Sequence, residues 1–412
     1  MSGKKSGFML ESEKKKKISL VSLLPPKKYK LSSVRGPPDT NPTPKRWSQV
    51  LALLPVYLLQ ICYGMNSGFP AILTPQLRED CSEFNITVDQ ESWIVSLDNI
   101  LTPIICVLSG PIQQRWGPRS CLVLCCFPYF ISWLLAALAA NHYILYASRV
   151  LVGVSHALIC TTVYTIEVSS VEMRGTYSVL ESVLRCTGCV LVYALGLFYR
   201  WKTIAYIGLV IPVLALISCI LSPESPIYLV SKQQHKKAEL SLKRLYGSEF
   251  KSRQEVLLLS ESLNKIQRKR RSKCEYLQNI RKHPDVYRPF LILIILSVVQ
   301  QFSGVTVIRA YVVKIFHEVF RANNTENIGN MTINCEDINV EGGPNKTSGL
   351  AYMSAITIGL FRLAASLTLA RLLLQFRRRN MYLLSLTLSI LCLLTFSLFS
   401  FLAQDSFNPI FR

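Results

Sequence analysis

Charge is scarce in this chain. Just 17% of its 412 residues are Asp, Glu, Lys or Arg, while half are hydrophobic. A soluble protein of this length would not need so much apolar sequence, and here it comes in blocks. The blocks lack the period-two alternation of a membrane barrel. The 13 cysteines show no metal-ligand spacing. No nucleophile–base pair and no phosphate-cradling glycine loop is present, so nothing points to an enzyme, a catalytic residue, a metal or a cofactor. Residues 1–46 lack the apolar stretch of a cleavable signal peptide. They are polar and rich in Pro and Lys, which predicts a disordered basic tail.

What the sequence does have is long apolar runs. Stretches of about 20 mostly apolar residues lie at 47–66, 92–112, 120–140, 143–166, 178–199, 203–221, 289–313, 349–372 and 381–402. Helices are the form that satisfies the backbone inside lipid. The expectation is an all-α polytopic membrane protein of about nine spans. Its parts would be the tail 1–46, a six-helix bundle at 47–221, a hinge loop at 222–288, and a partial second bundle of three helices at 289–412. Within the hinge, Gln233 to Tyr246 and Gln254 to Ile266 read as short helices with charged faces.

The formal net charge of +21 is unevenly spread. Residues 1–46 carry 12 Lys or Arg and residues 222–288 carry 16, so these two segments hold 28 of the 46. Segments of the opposite sidedness carry few, at Arg78, Arg200, Lys202, Arg321 and Lys346. This positive-inside asymmetry places the N-terminus and the hinge in the cytoplasm and argues against a nucleic-acid partner. The basic runs Lys14 to Lys17 and Arg268 to Arg271 suit anionic lipid headgroups. Glycosylation sequons at Asn85, Asn323, Asn330 and Asn345 all fall in the two loops that charge assigns to the outside, 67–91 and 314–348. Cys81 and Cys335 share that side, which leaves an external disulfide open. Nothing in the sequence indicates an oligomeric state.

The turn after the second span reads Gly110-Pro-Ile-Gln-Gln-Arg115-Trp-Gly117-Pro-Arg119. In a tight turn, glycines let helix ends approach and arginines cap C-terminal carbonyls. With Glu167, Arg174 and Glu224, the residues Arg115 and Arg119 form a set of opposite charges at one end of the first bundle. Two readings stay open: a charge latch that opens and closes with the bundle, or capping and headgroup anchoring.

That turn resembles the signature loop of major facilitator superfamily transporters, with Gln114 where the family has Asp and Pro118 where it has a basic residue. Arg149-x-x-x-Gly153, Glu167 with Arg174-Gly175, Pro223-Glu224-Ser225-Pro226, and Gln300-Gln301-x-Ser303-Gly304 follow in the order of its sugar-porter branch. The stretch from Phe302 to Phe316 is similar to the insect facilitated trehalose transporters. The resemblance covers 47–402 and implies facilitated diffusion of a sugar, trehalose or a hexose, by alternating access in the plasma membrane. It implies twelve helices where this chain has nine runs, and the counterpart turn at Leu374 to Arg379 lacks the Asp and the Gly. Two rivals are a carrier of a different small organic solute and a non-transporting sensor or inactive truncated homologue.

Sugars need neutral hydrogen-bonding groups and an aromatic face. The candidates are Gln300, Gln301 and Thr306 on the seventh span, with Tyr311 there and Ser182 on the fifth added by the resemblance; for Thr306 and Ser182 a hydrogen bond that merely joins helices stays equally open. The family pattern has Asn at Thr306, Tyr at Ala310 and, often, Gln at Ser182. Charges within spans are costly and informative. They are Asp98, Glu181, Arg185, Arg309, Arg362 and Arg371. Glu181 and Arg185, four apart, can pair on one helix face, and Arg371 can snorkel to the surface. For Arg309, pairing with Asp98 and contact with an anionic ligand both remain open.

Overall fold

The computed structural model describes residues 46–79, 86–159, 161–170, 173–246, 249–269, 284–302, 304–327, 346–376 and 378–407. Among them every regular element is a helix. The first eight are α1 (Arg46–Glu79), α2 (Val88–Trp116), α3 (Pro118–Ala137), α4 (His142–Leu158), α5 (Thr161–Val168), α6 (Arg174–Phe198), α7 (Trp201–Gly208) and α8 (Val210–Leu221). Three more helices follow, α9 (Pro226–Ser231), α10 (His235–Tyr246) and α11 (Glu249–Lys269). The last four are α12 (Pro284–Phe302), α13 (Val305–Asn327), α14 (Lys346–Gln375) and α15 (Arg378–Phe407).

Among the described residues, eight stretches are long and apolar enough to cross a membrane: Trp47–Leu77, Val88–Trp116, Pro118–Ala137, His142–Val168, Arg174–Phe198, Trp201–Leu221, Phe290–His317 and Gly349–Leu369. They match the first eight expected spans. The ninth survives as a shorter apolar stretch, Asn380–Thr395, inside α15. The helix ends follow local chemistry. Thr87 and Gln90 form a reciprocal capping box at the start of α2, and Pro118 opens α3 where its missing N–H costs nothing.

The chain divides into two compact units. One comprises Trp47–Tyr228 with Arg309–Arg412, the other Met1–Arg46 with Leu229–Ile308. In the first, α2 packs on α4, α3 on α4, and α14 along α6. Lipid is as apolar as leucine, so helices in it associate through close contact and polar links. Gly64 of α1 and Gly188 of α6 supply that contact. A Cβ on Gly64 would lie 2.0 Å from the Arg185 carbonyl oxygen, and one on Gly188 would lie 2.2 Å from that of Ile61. Large side chains fill the interior, with Phe69 meeting Trp133 edge-on at 5.1 Å, while Ile104, Val107, Leu108, Leu214, Ile217 and Ile220 face outward as a lipid-facing surface requires.

The second unit holds α10 and α11, close to the two helices expected in the hinge. Leu229, Val230, Ala238, Leu242 and Val256 make a small core there, and Arg253 pairs with Glu239 at 2.5 Å.

Candidate functional site

At the α2–α3 turn, Gly117 adopts φ +91°, in the region that favours glycine. A Cβ there would meet the Tyr228 ring at 2.8 Å and a Glu224 carboxylate oxygen at 3.1 Å. The backbone therefore runs directly beneath the Pro223-Glu224-Ser225-Pro226 segment. Glu224 Oε1 accepts from the N–H groups of Arg119 and Ser225, each at 3.3 Å. Arg119 donates from Nε to the Cys219 carbonyl (3.0 Å) and from Nη2 to that of Ile220 (2.7 Å), at the C-terminal end of α8. The Tyr228 hydroxyl donates to the Arg115 carbonyl (2.8 Å), and that of Tyr164 to the Pro223 carbonyl (2.7 Å). Ser225 Oγ donates to Glu167 Oε2, and Arg174 Nε reaches the Ser169 carbonyl at 3.4 Å.

The charged residues expected at this end are thus gathered, but they bind one another through backbone groups and Ser225. Arg119 and Arg174 cap carbonyls, while the Arg115 side chain is exposed. Burial pushes the Glu224 carboxyl above its usual range, opposed by the two N–H donors and the charge of Arg119.

Inside the bundle a second network crosses α1, α5 and α6. Gln60 is its centre. Its Nε2 donates to Thr161 Oγ1 (2.7 Å) and Glu181 Oε2 (3.2 Å), and its Oε1 accepts from Arg185 Nε (2.9 Å). Thr165 adds a 2.5 Å hydrogen bond to Glu181 Oε1. Glu181 and Arg185 are therefore bridged by an amide from another helix, where their spacing suggested a direct pair. Arg185 also lies over the Tyr63 ring at 4.7 Å. Asp98 and Arg149 are buried nearby, at 5% and 1% exposure. Asp98 accepts from the Asn99 side chain (3.0 Å), and Arg149 donates to the Asn66 carbonyl (3.4 Å) and stacks on Phe69.

Helix α13 enters the same unit from Arg309 onward. Arg309 Nη1 donates to Ser67 Oγ on α1 at 2.6 Å, and its carbonyl accepts from the Tyr193 hydroxyl at 3.2 Å. Among the described residues the Arg309 guanidinium is hydrogen-bonded to Ser67, with no ion pair to Asp98. One turn on, Lys314 pairs with Glu91 of α2 at 2.8 Å and lies 5.5 Å above the Tyr311 ring. Gln301 and Thr306 flank Gly304 (φ +72°), which separates α12 from α13, and Thr306 Oγ1 donates to Gln301 Oε1 at 3.4 Å. Gln300 and Gln301 are exposed on α12, and Ser182 is exposed on α6 beside the buried Glu181. Asn323 falls within α13. Asn85, Asn330, Asn345, Cys81 and Cys335 lie outside the described residues.

Sequence reasoning missed Gln60 and the Lys314–Glu91 pair. Opposite charges at same-sided ends of the second and seventh spans were the available signal for the pair. Gln60 had none, being one amide in an apolar run.

Residues 52–336 match the family described as sugar (and other) transporter. The chain belongs to that family. Among curated members it is 31% identical over 278 residues to the facilitated trehalose transporter Tret1-2 homolog of Drosophila simulans, covering 66% of this chain and 56% of that protein. It is 28% identical over 304 residues to the facilitated trehalose transporter Tret1 of Bombyx mori, covering 72% and 58%. The chain thus spans little more than half the length of these two relatives. Its fold is that of the major facilitator superfamily. The XylE proton:xylose symporter bound to 6-bromo-6-deoxy-D-glucose superposes with a TM-score of 0.56 at 18% identity, covering 79% of this chain and 69% of the symporter. A double-tryptophan XylE variant gives 0.57, covering 77% and 67%.

Proposed function

We propose that this member of the sugar transporter family moves a sugar, trehalose or a hexose, across the plasma membrane by facilitated diffusion. The observation that carries this reading is the family match over 52–336, which runs from the first span through the Gly304 break in the seventh. Discontinuous helices and polar interiors are how such carriers expose a midplane site to each side in turn. Gln300, Gln301, Thr306, Tyr311, Ser182 and Arg309 are the proposed solute contacts. Arg115, Arg119, Glu167, Arg174 and Glu224 would hold the cytoplasmic end. The N-terminus is cytoplasmic in this reading, supported by the basic tail and hinge and by the sequons on the opposite side. No covalent chemistry is required.

The test is uptake of radiolabelled trehalose and glucose into oocytes expressing the chain, with surface delivery checked by a glycosylation shift. Saturable, equilibrative uptake that Gln300→Ala abolishes is the expected result. Surface-delivered protein without uptake of either sugar would overturn the proposal.

A further inference from the structure

Helix α14 packs antiparallel along α6, with Gly359 against Val190 and Tyr193 and Ser366 against Cys186. Arg362 lies between these contacts. Residues 359, 362 and 366 share one helix face, so Arg362 belongs to the face that meets α6, near Cys189. Arg309 reaches the same place from α13, through Ser67 on α1 and the Tyr193 hydroxyl. Gly68 of α1 closes the group, within contact distance of the Cys189 sulfur and the Tyr193 ring. Four helices thus bring two arginines to the neighbourhood of one buried tyrosine, Arg309 touching it through its carbonyl.

The charges here do not balance. The spans of this unit bury three carboxylates, Glu91, Asp98 and Glu181. Asp98 has Arg149 and, more weakly, Arg309 as cationic neighbours, Arg185 is tied to Glu181 through Gln60, and Glu91 is taken by Lys314. Five cations, Arg149, Arg185, Arg309, Lys314 and Arg362, thus face three carboxylates, and Arg309 and Arg362 disfavour each other's charge. Among the described residues no carboxylate is within ion-pair distance of either, and the buried Nε of Arg309 has no hydrogen-bond partner. Two like charges inside a membrane bundle are held together at a cost that a bound anion would offset. Guanidinium groups are also the donors best shaped to grip a carboxylate or phosphate with paired N–H groups.

We propose that Arg309 and Arg362, on helices that converge beside Tyr193, form an oxyanion-binding site, and that the carrier prefers sugars bearing a carboxylate or phosphate to neutral trehalose or hexose. This rests on the sugar-carrier reading and sets a preference within its substrate class. Ser67 orients one guanidinium, and neutral amides and hydroxyls remain to bind the rest of the solute.

The test is equilibrium binding to the purified full chain in lipid nanodiscs. Radiolabelled glucose 6-phosphate and glucuronate are the charged probes, with glucose and trehalose as neutral comparators. The expected result is binding about tenfold or more tighter for at least one charged probe, weakened by salt. Arg362→Gln should abolish that preference without lowering the melting temperature, because Arg362 makes no hydrogen bond among the described residues. Arg362→Lys should restore part of it. Binding of glucose 6-phosphate alone selects the phosphate, and of glucuronate alone the carboxylate. Equal binding of charged and neutral sugars overturns the oxyanion site while leaving the sugar carrier standing. Binding of none of the four overturns both.

Discussion

Lys314 Nζ lies 2.8 Å from Glu91 Oε1, joining the seventh span to the first turn of α2 across 223 residues of sequence. Glu91 is almost fully enclosed and Lys314 about a quarter exposed. Exposed pairs contribute about 0–1 kcal/mol, and losing one partner of a fully buried pair costs about 3–5 kcal/mol. This pair falls between those limits, which suits a contact that must open and close. If α13 separates from α2 in each transport cycle, a crosslink at these positions halts the cycle. Glu91→Cys combined with Lys314→Cys should be joined by a bifunctional methanethiosulfonate that spans the gap left by the shorter side chains, and uptake should fall to background and recover with reductant. Full uptake with the crosslink in place would show that the pair is static.

Gly117→Ala should destabilise the turn beneath Glu224. A residue with a Cβ is strained at φ +91°, ψ 159°, a region that is essentially glycine-only, at a cost of about 1–3 kcal/mol, and here the Cβ would also displace the Tyr228 ring. A fall of several degrees in melting temperature is expected. Tyr228→Phe should cost less, about 1 kcal/mol, since it loses the hydrogen bond to the Arg115 carbonyl and keeps the ring. An unchanged melting temperature in Gly117→Ala would mean that the Pro223–Tyr228 segment does not stay over the turn.

The Glu224 carboxyl gives this end a pH dependence of defined sign. Its folded-state value is raised, with burial the main cause. Its contribution to stability is full below the ordinary glutamate value of about 4.3 and is lost as pH rises through the shifted value. Glu224→Gln keeps an oxygen that can accept from Arg119 and Ser225 but cannot ionise. Melting curves taken from pH 4 upward should show the wild type losing stability relative to Glu224→Gln across that window. A constant difference between the two would remove burial as the dominant influence.

Much of the fold was legible because its signal is local. Spans follow from runs of apolar residues, α10 and α11 from charged helical faces, and the α2–α3 turn from Gly117 and Pro118. The site was legible in part. Residue types placed Glu167, Arg174 and Glu224 at one end, but their partners are backbone groups, and those depend on how closely α3, α5 and α8 converge. Pairings across helices leave no periodic trace. Glu181 and Arg185 suggested a pair by spacing, yet the side chain joining them comes from α1, more than 100 residues away. Arg309 was recognisable as costly, and its contact with Ser67 follows only from α13 reaching α1.

Gln60 supplies the last prediction. Its amide donates to Thr161 and Glu181 and accepts from Arg185, so one side chain satisfies an acid and a base on the same helix. Gln60→Ala would leave Glu181 with Thr165 and Thr162 and would strip Arg185 of its acceptor. Leaving buried groups unsatisfied costs about 1–3 kcal/mol each, more when they are charged. Gln60→Ala should therefore destabilise the bundle by at least about 2 kcal/mol. The companion change Arg185→Ala should also be destabilising, but combining the two should cost less than their sum by about 0.5–3 kcal/mol, the coupling expected of residues in one network. The cycle is measured by denaturant or thermal unfolding of the four proteins in detergent. Strict additivity would mean that Gln60 and Arg185 act independently, and that Glu181 draws its compensation from Thr165 and Thr162.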